Sequence, residues 1–273
     1  MVSDRSSGLS IIGIDFSGAK DSGRKIWIAT AAVQSGHLHI EECCRADHLL
    51  GTVPDRDAAL DALRQWIGAH DQCIVGLDFP FSLPQSLMIR GWEQDVLSLG
   101  DQFAPAEAFR EDCWRRAGDR ELKRITDQEE HAPFSPYNLR LYRQTFYGLR
   151  DLLSPLLTEK AVCVLPMQHP IGARPWIIEI CPASTLRRER LQTHGYKGRK
   201  EHCRNNRAEI VKTITTNFAL ALSPEIRDCV VGDSGGDALD AVLAAVATYR
   251  ARSSNECLKP ADQVQAVEGR IFS

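Results

Sequence analysis

Short apolar runs separated by polar turns mark the first eighty residues. IIGID (11–15), KIWIATAAV (25–33) and HLHIEECC (37–44) each match a strand, and the turns between them are short. The apolar period then lengthens to helical spacing over 55–70, and the run CIVGLDFP (73–80) follows. The pattern predicts a three-strand meander, a helix, and a fourth strand parallel to an earlier one.

The pattern changes after Pro84, where residues 84–170 read mainly as helices interrupted by prolines. WIIEICP (176–182) predicts a fifth strand, and residues 232–250 give the clearest helix. The terminal AVEGRIFS predicts a last strand or a docking tail. We therefore expect an α/β fold in a single domain over 1–273, with its core at about 11–80 and 175–273 and a helical insertion at about 84–170.

Net charge, cysteine spacing and hydropathy restrict the class of protein but do not identify what it binds. The 273 residues carry 33 Lys and Arg against 36 Asp and Glu, a formal net charge of −3, so nucleic-acid binding would have to rest on local charge. Nine scattered cysteines without a Cys-x-x-Cys pair predict buried thiols in a reducing compartment. Zinc is only weakly suggested, by histidine and cysteine side chains near His194 and His202 that lack the paired spacing of a structural zinc site. With no signal-like start or apolar span, we expect a cytoplasmic protein.

Five acidic residues lie where predicted elements meet. Asp15 and Asp78 end the first and fourth strands, Glu179 interrupts the fifth, and Asp237 and Asp240 begin the last long helix. The carboxyl ends of parallel strands share one edge of a sheet, where open α/β folds bind ligands. An i, i+3 spacing also keeps the two helix acids on one face. The five residues are therefore predicted catalytic groups.

Carboxylates brought together repel one another, and divalent cations relieve that repulsion. Oxygen ligands suit Mg²⁺ or Mn²⁺, and two such ions about 4 Å apart can activate a water and stabilise the leaving oxygen in phosphodiester hydrolysis. The predicted cofactor is therefore a pair of Mg²⁺ or Mn²⁺ ions. The predicted metal ligands are Asp15, Asp78, Glu179 and Asp237.

Each acid also has a plain structural interpretation. Asp15 and Asp78 are typical of turns that follow strands, Asp237 of a helix N-cap, and Asp240 of a first helical turn. Glu179 is harder to explain in this way, because a carboxylate between two isoleucines is costly to bury without a partner.

Taken in order, the acidic motifs resemble a known family. GIDFSGAK, GLDFPFSLP, IIEICPAS, GDALDAVLAAVAT and EGRIF, spread over residues 11–272, are similar to the motifs of the domain-of-unknown-function 429 family of predicted RNase H-like nucleases. The resemblance implies a ribonuclease H-like five-stranded mixed sheet, three strands antiparallel and two parallel, flanked by helices. It also implies acidic site positions at Asp15, Asp78, Glu179, Asp237 and Asp240.

A basic segment follows the strand that carries Glu179. Residues 185–212 contain nine basic and three acidic residues, a local charge of +6, with Tyr196 and His194 available to stack on bases. The alternative is a solvated basic helix pair. A second predicted contact is the turn after the first strand. The predicted substrate-binding residues are Ser17, Lys20, Lys197, Arg199 and Lys200.

These patterns favour a metal-dependent nuclease or phosphodiesterase whose partner is DNA or RNA. Two alternatives use the same residues. A noncatalytic RNase H-like module would bind nucleic acid or protein without turnover. An ATPase-like protein would bind Mg²⁺-nucleotide through the Asp15 turn and the glycines at 235 and 236, although no second meander is present in the sequence.

Overall fold

The computed structural model describes residues 10–253 and 258–273. Within those ranges the strands form one eight-stranded mixed sheet. The strands are β1 (Ser10–Asp15), β2 (Trp27–Gln34), β3 (His37–Arg45), β4 (Cys73–Leu77), β5 (Cys163–Leu165), β6 (Trp176–Ile180), β7 (Leu220–Ala221) and β8 (Ile271–Phe272). The N-terminal residues 1–9 and Cys257, both used in the sequence predictions, lie outside the described residues.

Helices cover both faces of this sheet. In chain order they are α1 (Ser22–Lys25), α2 (Ala46–Leu49), α3 (Arg56–Gly68), α4 (Trp92–Leu97), α5 (Leu99–Gln102), α6 (Ala106–Arg116), α7 (Ile125–Glu129), α8 (Tyr142–Tyr147), α9 (Ser154–Thr158), α10 (Pro182–Arg188), α11 (Glu201–Asn217), α12 (Pro224–Gly232), α13 (Asp237–Ser253) and α14 (Gln263–Glu268). A 3₁₀ turn at Gln85–Leu87 and a π-helical segment at Gly148–Leu153 belong to the insertion. No helix of the described residues combines the length and apolar character that a membrane span requires.

The strand order is β5-β6-β4-β1-β2-β3-β7, with β8 added beside β6. β1, β2 and β3 form the predicted antiparallel meander, while β4 is parallel to β1 and β6 is parallel to β4. The mixed α/β prediction is therefore confirmed. The predicted number of five strands was wrong, because β5, β7 and β8 extend the sheet to eight strands over the described residues. Strands of two or three residues are too short to show an alternating pattern.

The insertion packs on one face of the sheet. Ile14 and Leu77 of the sheet belong to the same buried apolar cluster as Phe109 and Phe146 of the insertion. Apolar residues such as Phe146, Leu149 and Leu153 recur at helical spacing, which is why this segment folds as short helices over the strands. The insertion therefore covers the central strands.

The opposite face of the sheet is covered by α13, which is buried along most of its length. Two glycines allow this helix to lie directly on the central strands. A Cβ atom at Gly13 would stand 2.1 Å from the backbone nitrogen of Ala245, and one at Gly76 would stand 2.0 Å from Thr248 Oγ1. The close approach fixes where the first turn of α13 meets the sheet.

Candidate active site

Asp15 and Asp78 lie side by side at the carboxyl edge of the sheet. β1 and β4 are parallel with Ile14 opposite Leu77, so the two aspartates follow paired positions. The amide of Asp78 donates to the carbonyl of Ile14 at 3.0 Å, which continues the pairing by one residue. Because side chains alternate along a strand, Asp15 shares the face of Gly13, the face covered by α13.

The first turn of α13 supplies two further acids. Asp240 is only 3% exposed and lies one residue before Ala241, whose carbonyl packs against Gly13. Asp237 is partly exposed at the start of the helix. The predicted N-cap alternative for Asp237 is not seen, because the carboxylate of Asp233 accepts from the amide of Ala238 at 3.1 Å. The Asp237 carboxylate instead lies near Lys197.

A loop before α11 brings a positive charge to these acids. Lys197 Nζ lies 2.6 Å from Asp240 Oδ2 and 3.5 Å from Asp237 Oδ1. The hydroxyl of Tyr196 donates to Asp240 Oδ1 at 3.0 Å. Because the Tyr196 ring is buried and its hydroxyl is engaged, this residue does not offer the exposed stacking surface that the sequence suggested. We call Asp15, Asp78, Asp237, Asp240 and Lys197 the carboxylate cluster.

The loop is held in place by backbone contacts and by one buried arginine. The amide of Gly198 donates to the carbonyl of Ser234 at 2.7 Å. Arg207 donates to the carbonyls of Tyr196 at 2.5 Å and of Val231 at 2.9 Å, and it is only 2% exposed. Arg207 therefore positions the loop and is not one of the phosphate contacts expected from the basic segment.

The negative charges of the carboxylate cluster are only partly neutralised by Lys197. Burial, then repulsion from Asp240, raises the pKa of Asp78 to about 8 and also raises that of Asp15 well above its usual range. Burial likewise raises the pKa of Asp240, while the Lys197 ammonium opposes the rise. Burial works against the charge of Lys197, but attraction to Asp240 and Asp15 outweighs it and raises the lysine pKa. The single ammonium of Lys197 therefore lies among several carboxylates and attracts both Asp240 and Asp15.

Glu179, a predicted metal ligand, extends from the other face of the sheet and is paired with an arginine, although it lines the same cavity as Asp78 and its charge contributes to the raised pKa of Asp78. It lies opposite Leu77 in the β4–β6 register, so its side chain belongs to the insertion face of the sheet. There Arg124 Nη1 donates to Glu179 Oε2 at 2.8 Å, and the amide of Phe81 donates to the same oxygen at 2.9 Å. Burial raises the pKa of Glu179, while Arg124 opposes that rise.

Arg124 is the residue that the sequence did not single out. Its side chain is fully buried and also pairs with Asp127, at 2.7 Å between Nη2 and Oδ1. Arg124 lies in the insertion among ordinary helix-forming and polar residues, so no motif marks it. We call Arg124, Asp127 and Glu179 the arginine network. Its carboxylates are paired with a guanidinium, which explains the acid between two isoleucines structurally.

The carboxylate oxygens of the cluster are ligands that suit a hard divalent cation. In the structure the positive charge beside Asp240 is the ammonium of Lys197. Over residues 10–253 and 258–273, however, no three His, Cys, Asp or Glu side chains are grouped so that they could hold a metal ion. The histidines at 194 and 202, which suggested zinc, are not part of such a group either. A cation among Asp15, Asp78 and Asp240 would require Lys197 to leave Asp240.

The other predicted substrate contacts lie around the site without touching the acids. Ser17 Oγ accepts from the amide of Ala19 at 3.3 Å, which stabilises the turn after β1, and Lys20 is exposed beyond it. Arg199 and Lys200 are exposed next to Lys197, directly before α11. Of the five predicted contacts, Lys197 is the one that meets the carboxylates.

A cavity of about 230 Å³ opens beside the cluster. Asp78, Lys197 and Asp240 line one part of it, and apolar residues of the insertion and of the start of α10 line another. The arginine network, Arg124, Asp127 and Glu179, also lines this cavity. Asp78 and Asp240 therefore face a space large enough for part of a ligand.

The fold and site define an α/β protein with an open mixed sheet and a carboxylate cluster at the carboxyl edge of its parallel strands. The family described as "Protein of unknown function (DUF429)" matches residues 13–264, and the chain belongs to that family. Comparisons with curated proteins and with solved structures find no significant match.

Proposed function

We propose that this protein is a metal-dependent phosphodiester hydrolase that cleaves nucleic acid. The observation that carries the proposal is the convergence of Asp15, Asp78 and Asp240 from β1, β4 and α13. Burial raises the pKa values of all three carboxyls, and repulsion from a neighbouring aspartate adds to each rise. Perturbed acids that face a cavity are typical of functional sites.

The arrangement of strands is a second support. β3, β2 and β1 are antiparallel, and β4 and β6 continue the sheet in parallel. This is the arrangement implied by the resemblance to predicted RNase H-like nucleases. We therefore assign the central five strands to a ribonuclease H-like core, with β5, β7 and β8 as additions.

Mg²⁺ or Mn²⁺ would be held by Asp15, Asp78 and Asp240, with Asp237 close by, and we leave Glu179 out of this set because its carboxylate is paired with Arg124. A bound divalent ion would supply charge stabilisation at the phosphate and a more acidic water. Lys197 has two roles for this chain. It neutralises Asp240 when no other cation is there, and it is half-exposed, so its ammonium can turn to a substrate phosphate.

Exposed lysine and arginine side chains near the carboxylate cluster support nucleic acid as the partner. Lys197, Arg199 and Lys200 follow one another within four residues at the rim of the cluster. Replacing Arg199 and Lys200 together by alanine should weaken binding and reduce the salt slope by roughly 0.7–0.9 per lost phosphate contact. An unchanged slope, measured by fluorescence anisotropy across salt concentrations, would remove this surface from the proposal.

The decisive experiment is cleavage of single-stranded, duplex, hybrid and branched substrates with Mg²⁺ or Mn²⁺. Asp15→Asn and Asp240→Asn should each lower the rate by a hundredfold or more, as roughly expected for groups that act on transition-state charge. Asp228→Asn is the matched control, because Asp228 is exposed on α12. Activity that survives both site substitutions would contradict the assignment.

The same experiment separates the alternatives. Binding of nucleic acid without turnover in the wild-type chain would favour a noncatalytic module. Hydrolysis or tight binding of ATP, in place of cleavage, would favour a nucleotide-binding protein.

A further inference from the structure

The cavity beside the carboxylate cluster has two chemically different parts. Its polar part includes Asp78, Lys197 and Asp240 of the cluster and the paired charges of the arginine network, whereas another part of its wall is made of apolar side chains. At about 230 Å³ it is smaller than the roughly 300–1,000 Å³ typical of pockets for drug-sized ligands. A group of one or two rings fits this space better than a larger ligand.

The apolar wall comes from two segments. Phe134 and Leu141 of the insertion are partly exposed and line the cavity, and so do Pro182 and Ala183 at the start of α10. The guanidinium of Arg140 lies 5.5 Å from the centre of the Phe134 ring. An aromatic ring flanked by an arginine is the kind of surface on which an unpaired base stacks.

The polar groups of the cavity match the rest of a nucleotide. Gln144 lines the cavity and its side-chain amide donates to the carbonyl of Asp78, so an amide stands between the apolar wall and the carboxylates. Amide side chains pair with the edges of bases. The half-exposed ammonium of Lys197 lies where a phosphate attached to that base would need a counter-charge.

We propose that this cavity binds one unpaired nucleobase of a single-stranded or locally opened nucleic acid, next to the phosphate presented to the carboxylate cluster. The proposal rests on the proposed function for the identity of the polymer. The base-binding wall is formed by Phe134, Leu141, Pro182 and Ala183. It makes unpaired strands the preferred substrate class, because a base in a duplex is not free to enter.

The test compares two probes of equal charge by fluorescence anisotropy, using the full chain without divalent cations so that no cleavage occurs. One probe is a single-stranded oligonucleotide of about six nucleotides, and the other is a fully abasic strand of the same length. We expect the wild-type chain to bind the strand with bases roughly tenfold more tightly. Equal affinities for the two probes, or no binding to either, would overturn the proposal.

Three variants locate the effect in the cavity. Ala183→Leu should fill the space, and Phe134→Leu should remove the ring while keeping apolar bulk. Both should abolish most of the preference for the strand with bases. Leu139→Ala is the matched control, because Leu139 is 68% exposed and does not line the cavity. A preference that persists in the folded Ala183→Leu and Phe134→Leu variants would place base binding elsewhere.

The outcome is independent of the cleavage experiment. A chain that cleaves nucleic acid in an Asp15-dependent way but binds the two probes equally would retain the proposed function and lose the base pocket. A chain that prefers the strand with bases but never cleaves would retain the pocket and lose the proposed function.

Discussion

The carboxylate cluster and the arginine network extend from opposite faces at the same edge of one sheet. They line one cavity, but their acids are compensated differently. On the insertion face, Glu179 and Asp127 share the fully buried guanidinium of Arg124, and Glu179 also accepts from a backbone amide. On the α13 face, Asp15, Asp78 and Asp240 share one half-exposed ammonium from a loop.

This difference separates a structural role from a functional one. A buried carboxylate held by a bidentate guanidinium has its charge and its lone pairs satisfied, and its removal is costly to folding. Carboxylates whose pKa values are raised by burial and then by repulsion from neighbouring acids store unfavourable energy that a cation can relieve. The arginine network therefore holds the insertion to the sheet, and the carboxylate cluster is where the proposed hydrolysis would take place.

The largest expected effect comes from breaking the arginine network. Arg124→Met leaves Glu179 and Asp127 buried without a cation, and it should lower the free energy of unfolding by about 3–5 kcal/mol. Urea unfolding measures this loss. Arg115→Met is the matched control, because the Arg115–Asp112 pair is at the surface and should be worth about 0–1 kcal/mol. Equal losses in the two variants would contradict the contrast between buried and surface pairs.

A smaller loss is expected where α13 meets the sheet. Gly13→Ala places a methyl group 2.1 Å from the backbone of Ala245, so the helix must move and the variant should lose about 1–3 kcal/mol. The same shift moves Asp240 away from Asp15, so any cleavage activity should fall as well. Gly68→Ala is the control. A Cβ there meets nothing closer than 3.7 Å, and thermal unfolding should show a neutral or slightly stabilising effect.

The smallest effect is a change in pH dependence at the carboxylate cluster. The pKa of Asp78 is raised to about 8, so between about pH 4 and 8 the folded state binds more protons than the unfolded state. Wild-type stability should therefore fall as the pH rises through this window. Asp78→Asn removes the titrating group and should flatten that fall, so that the variant is more stable than the wild type at pH 8.

Urea unfolding at several pH values tests this sign, with Asp228→Asn as an exposed control. A variant that loses stability at pH 8 relative to the wild type would show that Asp78 is fully compensated in the folded chain. The two faces would then not differ in the way described above.

Much of the fold could be predicted from periodicity. The bounds of the central strands differ from the predicted ones by a few residues, and α13 begins at Asp237, a few residues inside the predicted range 232–250, and ends at Ser253. The strands β5 and β7 were missed because two or three residues show no period. Arg124 was missed because nothing next to it along the chain resembles a binding motif; its partner Glu179 is 55 residues away.

The sequence by itself determined that Asp15, Asp78 and Glu179 lie in or directly after strands that share one sheet edge. Only the tertiary structure decided which of them face one another. Glu179 pairs with Leu77, whereas Asp78 is the residue after Leu77. Because side chains alternate along a strand, this difference of one residue places Glu179 on the opposite face of the sheet from Asp78. Register depends on how β6 pairs with β4, a long-range contact that no local pattern specifies.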